Sequence, residues 1–203
     1  MRPRPAPRRE RNAPRRAADR PLPRRFYDRP AAEVARDLLG AILVRRLGRR
    51  RIAGRLVETE AYVTGDPASH AFRGRTERNR SMFAGPGHLY VFRIHQVCCL
   101  NAVTRPGEAV LLRAAEPMAP GGGSMSGPGR LARAFGVTRA EDGTDLLDGP
   151  VRILPGPTGP ARIVAGPRVG ISRARERPLR FFLYGHPAVS RPRGNAPTRA
   201  RRA

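Results

Sequence analysis

Apolar and polar positions change period several times between residues 26 and 190, and each change marks an element. In "PAAEVARDLLG", Val34, Leu38 and Leu39 recur at helical spacing. This predicts a short helix capped by Asp28, with Pro30 at its first position and Gly40 as its stop. "AILVRRL" and "RIAGRLVETEAYV" then read as two strands. Alternation along the second puts Ile52, Leu56, Glu58, Glu60 and Tyr62 on one face, and Arg51, Arg55, Val57 and Thr59 on the other. "HLYVFRI" is a third strand, with Tyr90, Phe92 and Ile94 on one side. "EAVLLRAAEP" is a fourth, with Val110 and Leu112 opposite Leu111 and Arg113. "GRLARAFG" reads as a short helix; "VRIL", "RIVAGPRVGIS" and "RPLRFFLYG" read as short strands. Several strands, few helices and no strand–helix alternation predict an α+β fold with a mainly antiparallel sheet. Residues 119–129, "APGGGSMSGPG", read as a glycine-rich linker.

Outside this patterned segment the chain changes character. Residues 1–22 are arginine, proline and alanine with almost nothing to bury, and residues 191–203 repeat that composition. A single domain over 23–190 is therefore expected between two disordered basic tails. The whole chain of 203 residues carries 40 basic residues, every one an arginine, against 16 acidic ones, for a net charge of +24. A charge of this size predicts a polyanionic partner. No apolar run is long enough to cross a bilayer, and the N-terminus lacks the apolar core of a secretory signal. The expectation is a cytoplasmic, nucleoid-associated protein of bacterial type with no membrane partner. Cys98 and Cys99 are adjacent, which suits small buried residues better than a framework disulfide.

Against this basic background two carboxylates, Glu58 and Glu60, stand in an apolar strand. Such a group is expensive to bury without a partner or a task. Each could pair with an arginine, or one could act as a general base whose pKa is set by burial and by its neighbour. Tyr62, Tyr90 and Phe92, expected on neighbouring strands, offer stacking faces for a base. Arg73, Arg75, Arg78 and Arg80 fall in one loop, "FRGRTERNRSMF", that can hold phosphates. A zinc nucleobase deaminase is excluded, because His70 is followed by Ala71 and Phe72 and the cysteines lack the required spacing. A ribosomal-type structural protein would account for the charge but not for "VETEAY".

Taken in order, "RLVETEAY", His70, "RNRSMFAGPGHLYVF", Asn101, "AVLLRAAEP", "GPGRLARAFGV" and "RVGISRARERPLRFFLYGHPAVS" resemble the alkyladenine (3-methyladenine) DNA glycosylase family over about residues 26–190. The resemblance implies a single domain whose curved sheet is partly open and barrel-like. It also implies a monomer that flips alkylated or deaminated purines out of double-stranded DNA and hydrolyses the N-glycosidic bond, with no metal or other cofactor. One carboxylate suffices for a cationic leaving base, unlike the pair used by ordinary glycosidases. By the resemblance Glu60 is the general base, Arg113 lies near the attacking water and the target phosphate, and Glu58 supports them. Tyr62 stacks on the flipped base, His70 borders the pocket, and Asn101 crowds the exocyclic amino group of guanine. Phe92 stands where relatives carry a second stacking tyrosine and keeps its π-face.

Two further departures concern spacing. "FRIHQVCCLN" is one residue shorter than the family pattern, which leaves His95, with Ile94 as its rival, to fill the gap left by the base. The glycine-rich 119–129 segment stands where relatives have a longer stretch with a helix. A chain without lysine cannot supply a side-chain amine for a Schiff base, so an abasic site without strand cleavage is expected. The alternative reading is a non-catalytic, basic nucleic-acid-binding protein that keeps the glycosylase fold.

Overall fold

The computed structural model describes residues 20–94, 96–121, 123–157 and 162–190. Residues 1–19 and 191–203 of the expected tails lie outside the described residues. Leu22, assigned to the N-terminal tail, instead packs on the domain and donates its N–H to the Ile153 carbonyl. A single helical turn, α1 (Arg24–Tyr27), precedes α2 (Ala31–Asp37). Pro30 sits at the N-cap of α2 and not at its first helical position, and Asp28 belongs to the end of α1. The free Ala31 N–H is taken instead by Glu108 Oε2 at 3.1 Å, a partner 77 residues away that no local pattern could reveal. Gly40 does end the segment, at φ +88°.

The strands are β1 (Ile42–Leu47), β2 (Arg50–Tyr62), β3 (Leu89–Ile94), β4 (Val97–Val103), β5 (Ala109–Pro117), β6 (Val151–Leu154), β7 (Ile163–Gly166) and β8 (Arg180–Leu183). A third helix, α3 (Pro128–Ala134), lies between β5 and β6. All strand pairings are antiparallel, in the order β3-β4-β5-β2-β1-β6, while β8 joins β2 and carries β7. The fold is the expected α+β single domain, with the sheet curled into a half-barrel around which three helices pack. No helix among the described residues is long and apolar enough to cross a membrane.

One strand escaped the sequence pattern. β4, "VCCLNAV", pairs Ile94 with Val97 across a two-residue connection and so makes a tight hairpin with β3. The order also corrects the expectation that Tyr62, Tyr90 and Phe92 lie on neighbouring strands. β2 and β3 are separated by β5 and β4, and the curl of the sheet brings them to one cavity.

The faces of β2 need a second correction. Leu56 and Ala61 belong to the main core with Val34, Leu38, Val110, Leu112, Leu131 and Phe135, while Tyr62 faces the cavity. Strict alternation would put Leu56 with Glu58, Glu60 and Tyr62. The register against β5 shows why it fails: Leu56 faces Ala115, Glu58 faces Ala114 and Thr59 faces Leu112. Val57 and Arg113 have no cross-strand partner, so each strand carries one extra residue, the two lying on either side of the Glu58–Ala114 pair. A bulge of this kind re-aims side chains. Here it leaves Val57 in a second apolar cluster with Ala114 and Leu183, and turns Thr59 to the helix, where its hydroxyl donates to the Ala35 carbonyl at 2.7 Å.

The 119–129 segment is more than a linker. Met125 is buried in the core, its carbonyl accepts from Ala115 N–H at 3.2 Å, and Ser126 bridges to Ala114. A Cβ on Gly54 would stand 2.9 Å from the Met125 sulfur, so the absent side chain at 54 makes room for this plug.

Candidate active site

The bulge sets Glu58, Glu60 and Arg113 together under a cavity of about 600 Å³. Its walls come from four strands and three connections. Tyr62, Leu111 and Arg113 rise from β2 and β5; Cys99 and Asn101 from β4; Tyr90, Phe92 and Ile94 from β3. His70 and Met82 close one side, Pro128 and Gly129 of α3 another, and residues 169–173 a third. A mostly apolar, aromatic cavity with few polar groups is the usual form of a small-molecule or base pocket.

Glu60 lies one layer behind this wall, with no solvent exposure. Its Oε1 accepts from Val169 N–H at 2.7 Å and faces Arg113 Nη1 at 3.3 Å; its Oε2 accepts from the Tyr62 hydroxyl at 3.1 Å. Burial raises the Glu60 pKa, and the Arg113 charge, the Val169 N–H and the Tyr62 hydroxyl pull it only part of the way back. Burial would lower the Arg113 pKa, but Glu60 and Glu58 reverse this, and the guanidinium is held charged.

Glu58, also without exposure, accepts four hydrogen bonds. Oε1 takes Arg113 Nε at 3.1 Å, Arg180 Nε at 2.7 Å and the Ser190 hydroxyl at 2.9 Å; Oε2 takes Ser190 N–H at 2.7 Å. The two carboxylates therefore stand in different settings, although they are two residues apart. Glu58 is saturated by donors, whereas Glu60 has one oxygen bound only by a phenol.

The residues that line the cavity fall into two groups. Tyr62 has one ring face covered by the Arg168 guanidinium, 4.7 Å from its centroid. Across the cavity His70 Nδ1 and the Tyr90 hydroxyl share a hydrogen bond of 2.9 Å, and the His70 ring meets Phe92 edge-on at 4.4 Å. Burial lowers the His70 pKa and pushes Tyr90 up to about 12 and Cys99 up to about 11, so this wall is uncharged near neutral pH. Asn101 pairs in register with Tyr90 and with Leu111, and its Nδ2 donates to the Tyr90 carbonyl at 3.0 Å. The short hairpin thus leaves Asn101 on the cavity wall.

The arginine loop is less uniform than its sequence. Arg73, Arg75, Arg78 and Arg80 are all exposed. Only Arg78 borders the groove of about 570 Å³ that adjoins the pocket, with His70, Arg93 and Arg139. Arg80 leans on Glu77 at 3.5 Å. Asn79 holds the loop: its Oδ1 accepts from the Thr76 N–H and hydroxyl, and its Nδ2 donates to the carbonyls of His70 and Gly74. Ile94 is 46% exposed at the rim, and Phe72 is 49% exposed on the arginine loop. His95 lies outside the described residues.

Several site residues were not singled out by sequence reasoning. Asp66 and Arg168 form a fully buried bidentate pair, and Arg168 Nη1 also donates to the Ala61 carbonyl at 3.0 Å. This anchors the turn through Gly170, at φ +81°, that aims Val169 N–H at Glu60. Arg180 and Ser190 complete the Glu58 side. Each lies far in sequence from its partner, and an arginine among 40 carries no signal of its own.

Known proteins are similar to this chain over most of its length. The family description Methylpurine-DNA glycosylase (MPG) matches residues 25–187. A protein of Methanoculleus marisnigri named "Putative 3-methyladenine DNA glycosylase" is 47% identical over 178 residues, covering 78% of this chain and 92% of its own length. Proteins of the same name from Nitrosospira multiformis and Methanocella arvoryzae are 43% and 46% identical, each covering 80% of this chain and 90% and 92% of their own lengths. The chain belongs to the methylpurine-DNA glycosylase family.

Proposed function

We propose that this chain is a monofunctional base-excision DNA repair glycosylase that extrudes alkylated or deaminated purines from double-stranded DNA and hydrolyses the bond to the sugar. The observation that carries this reading is the Glu60 carboxylate, buried between Arg113, Tyr62 and the Val169 N–H directly behind an aromatic pocket. Family membership and the names of the relatives support the same class of reaction.

The chemistry follows from the two walls. A flipped purine stacks on the open face of Tyr62 and meets Phe92 and His70 on the other side. An alkylated purine carries positive charge, and a neutral His70 beside neutral Tyr90 does not repel it. Water entering at Glu60 Oε2 replaces the Tyr62 hydroxyl as its partner. Glu60 takes the water proton while the water oxygen bonds to the sugar C1′ and the glycosidic bond breaks. The electron pair of that bond leaves with the base, which neutralises a cationic alkylated purine, while hypoxanthine also takes up a proton from solvent. Arg113, neutralised by two carboxylates behind the wall, orients that water without adding net charge. Asn101 narrows the pocket against the amino group of guanine. Arg78, with Arg93 and Arg139, lies on the phosphate side of the pocket mouth, and the other loop arginines add affinity without sequence preference. Ile94 or His95 fills the vacated stack. A lysine-free chain leaves the abasic strand uncut. The enzyme acts as a monomer in the cytoplasm, on the nucleoid.

The test is single-turnover base release from duplex DNA carrying one hypoxanthine or one methylated adenine, with Glu60→Gln beside the parent. Release by the parent alone supports both the reaction and its base. Release by neither, with tight binding by both, supports a non-catalytic DNA-binding protein instead. Borohydride trapping of a protein–DNA adduct would overturn the monofunctional assignment.

A further inference from the structure

Arg113 is shared by two carboxylates and by Ser190. Its Nε faces Glu58 and its Nη1 faces Glu60, while its Nη2 donates to the Ser190 hydroxyl at 3.3 Å. Ser190 in turn gives Glu58 both a hydroxyl and a backbone N–H, and its own carbonyl accepts from Arg180 Nη2 at 2.9 Å. Arg180 pairs in register with Glu60 on β2, yet its Nε is directed to Glu58. Ser190, Arg180 and Arg113 are all nearly buried, so solvent does little to screen the cluster. Ser190 also lies beyond the stretch of residues 25–187 that the family match covers.

We infer that Ser190 and Arg180 form a positioning unit: by satisfying Glu58, they free part of the Arg113 charge to act on Glu60. The inference rests on Glu60 being the general base. The donors to Glu58 set the direction. If Glu58 loses the Ser190 hydroxyl, it draws more on Arg113, and Glu60 is left with less cationic support. If Glu58 loses its charge, Arg113 turns wholly to Glu60. The other groups facing Glu60 are Tyr62 on its own strand, Cys99 on β4 and the Arg168 guanidinium beyond Tyr62. None of these contacts Ser190, so a change at 190 reaches Glu60 through Glu58 and Arg113.

The experiment compares the full chain with Ser190→Ala and Ser190→Thr. The Glu60 side-chain carboxyl is titrated by carbon NMR, and single-turnover release of hypoxanthine is followed against pH. In Ser190→Ala the Glu60 titration and the acid limb of release both move to higher pH. A displacement of up to about one unit lowers the rate up to about tenfold on the acid side. The rates converge on the alkaline plateau, binding of the lesion duplex is unchanged, and Ser190→Thr restores the parent curve. Glu58→Gln, where it folds, moves both curves to lower pH. A Ser190→Ala titration that superimposes on the parent overturns the inference, and so does a rate loss that is uniform across pH. A parent that titrates at Glu60 but releases no base overturns the glycosylase reading instead, and the NMR comparison still decides the positioning.

Discussion

Arg168→Met removes one member of the Asp66–Arg168 pair, in which both side chains are without exposure. The substitution leaves the Asp66 carboxylate with the Ala68 N–H at 3.0 Å as its remaining donor, and it strips the Ala61 carbonyl of its guanidinium partner. Breaking a buried ion pair from one side costs about 3–5 kcal/mol, because the surviving charge stays buried. For a domain of this size each kcal/mol lowers Tm by about 2–4 °C, so a fall of roughly 6–20 °C is expected. The double variant Asp66→Leu/Arg168→Met removes both charges and is expected to regain most of that stability. It is not expected to regain activity, because Arg168 also covers Tyr62 and anchors the turn that presents the Val169 N–H to Glu60. Thermal and urea melts of the three proteins, set beside single-turnover release, separate the two effects. A single variant within about 1 kcal/mol of the parent would refute the reasoning, because a cost of that size belongs to exposed ion pairs. A double variant with parental release would show that the pair stabilises the domain without positioning its chemistry.

Four further outcomes are expected. Burial raises the Glu60 pKa above its ordinary 4.5, so the folded chain binds that proton more tightly than the unfolded chain does. The ionised group then costs stability as pH climbs from 4.5 through the raised value, and Glu60→Gln should melt above the parent at neutral pH and lose that advantage below pH 4.5. Asn79→Ala removes four hydrogen bonds that hold the arginine loop; a loss of about 1–3 kcal/mol and weaker duplex binding are expected, read by melting and anisotropy. Replacing Arg73, Arg75, Arg78 and Arg80 with glutamine should flatten the log–log salt dependence of duplex binding by about 0.9 for each phosphate that is no longer neutralised, and an unchanged slope would put the phosphate track elsewhere. Gly54→Ala drives a methyl against the Met125 sulfur at 2.9 Å and the Ala115 methyl at 3.0 Å, and overpacking of this kind costs about 1–3 kcal/mol on thermal melting.

The elements that depend on local spacing were legible in the sequence. Val34 and Leu38 mark α2, Tyr90 and Phe92 mark β3, and Leu111 and Arg113 alternate against Val110 and Leu112 as the faces of β5 require. What failed depends on contacts far along the chain. β4 is a strand because it completes a hairpin and pairs with β5, and "VCCLNAV" has no clear alternation to announce it. The Asp28 cap failed because Glu108, brought over by the loop before β5, supplies the acceptor for Ala31. The "APGGGSMSGPG" stretch looked like a linker because its buried residue is a lone methionine whose cavity is made by a glycine 71 residues earlier.

The same division explains the site. Glu58 and Glu60 stood out because carboxylates in an apolar strand need a reason, and strict alternation correctly kept them on one face. Alternation could not show that they would have different surroundings. That difference comes from the paired extra residues Val57 and Arg113, which turn Leu56 into the core and bring the Arg113 guanidinium between the two carboxylates. Without the bulge, Arg113 would have a cross-strand partner like its neighbours, and Glu58 would follow the parity of Leu56. A regular ladder would therefore give up the shared arginine, and with it the device that leaves Glu58 saturated and Glu60 with an oxygen open to exchange. The irregularity that flanks the Glu58–Ala114 pair is what makes two neighbouring acids chemically unequal, and a bulge is where a sheet re-aims side chains that a regular ladder would leave alike.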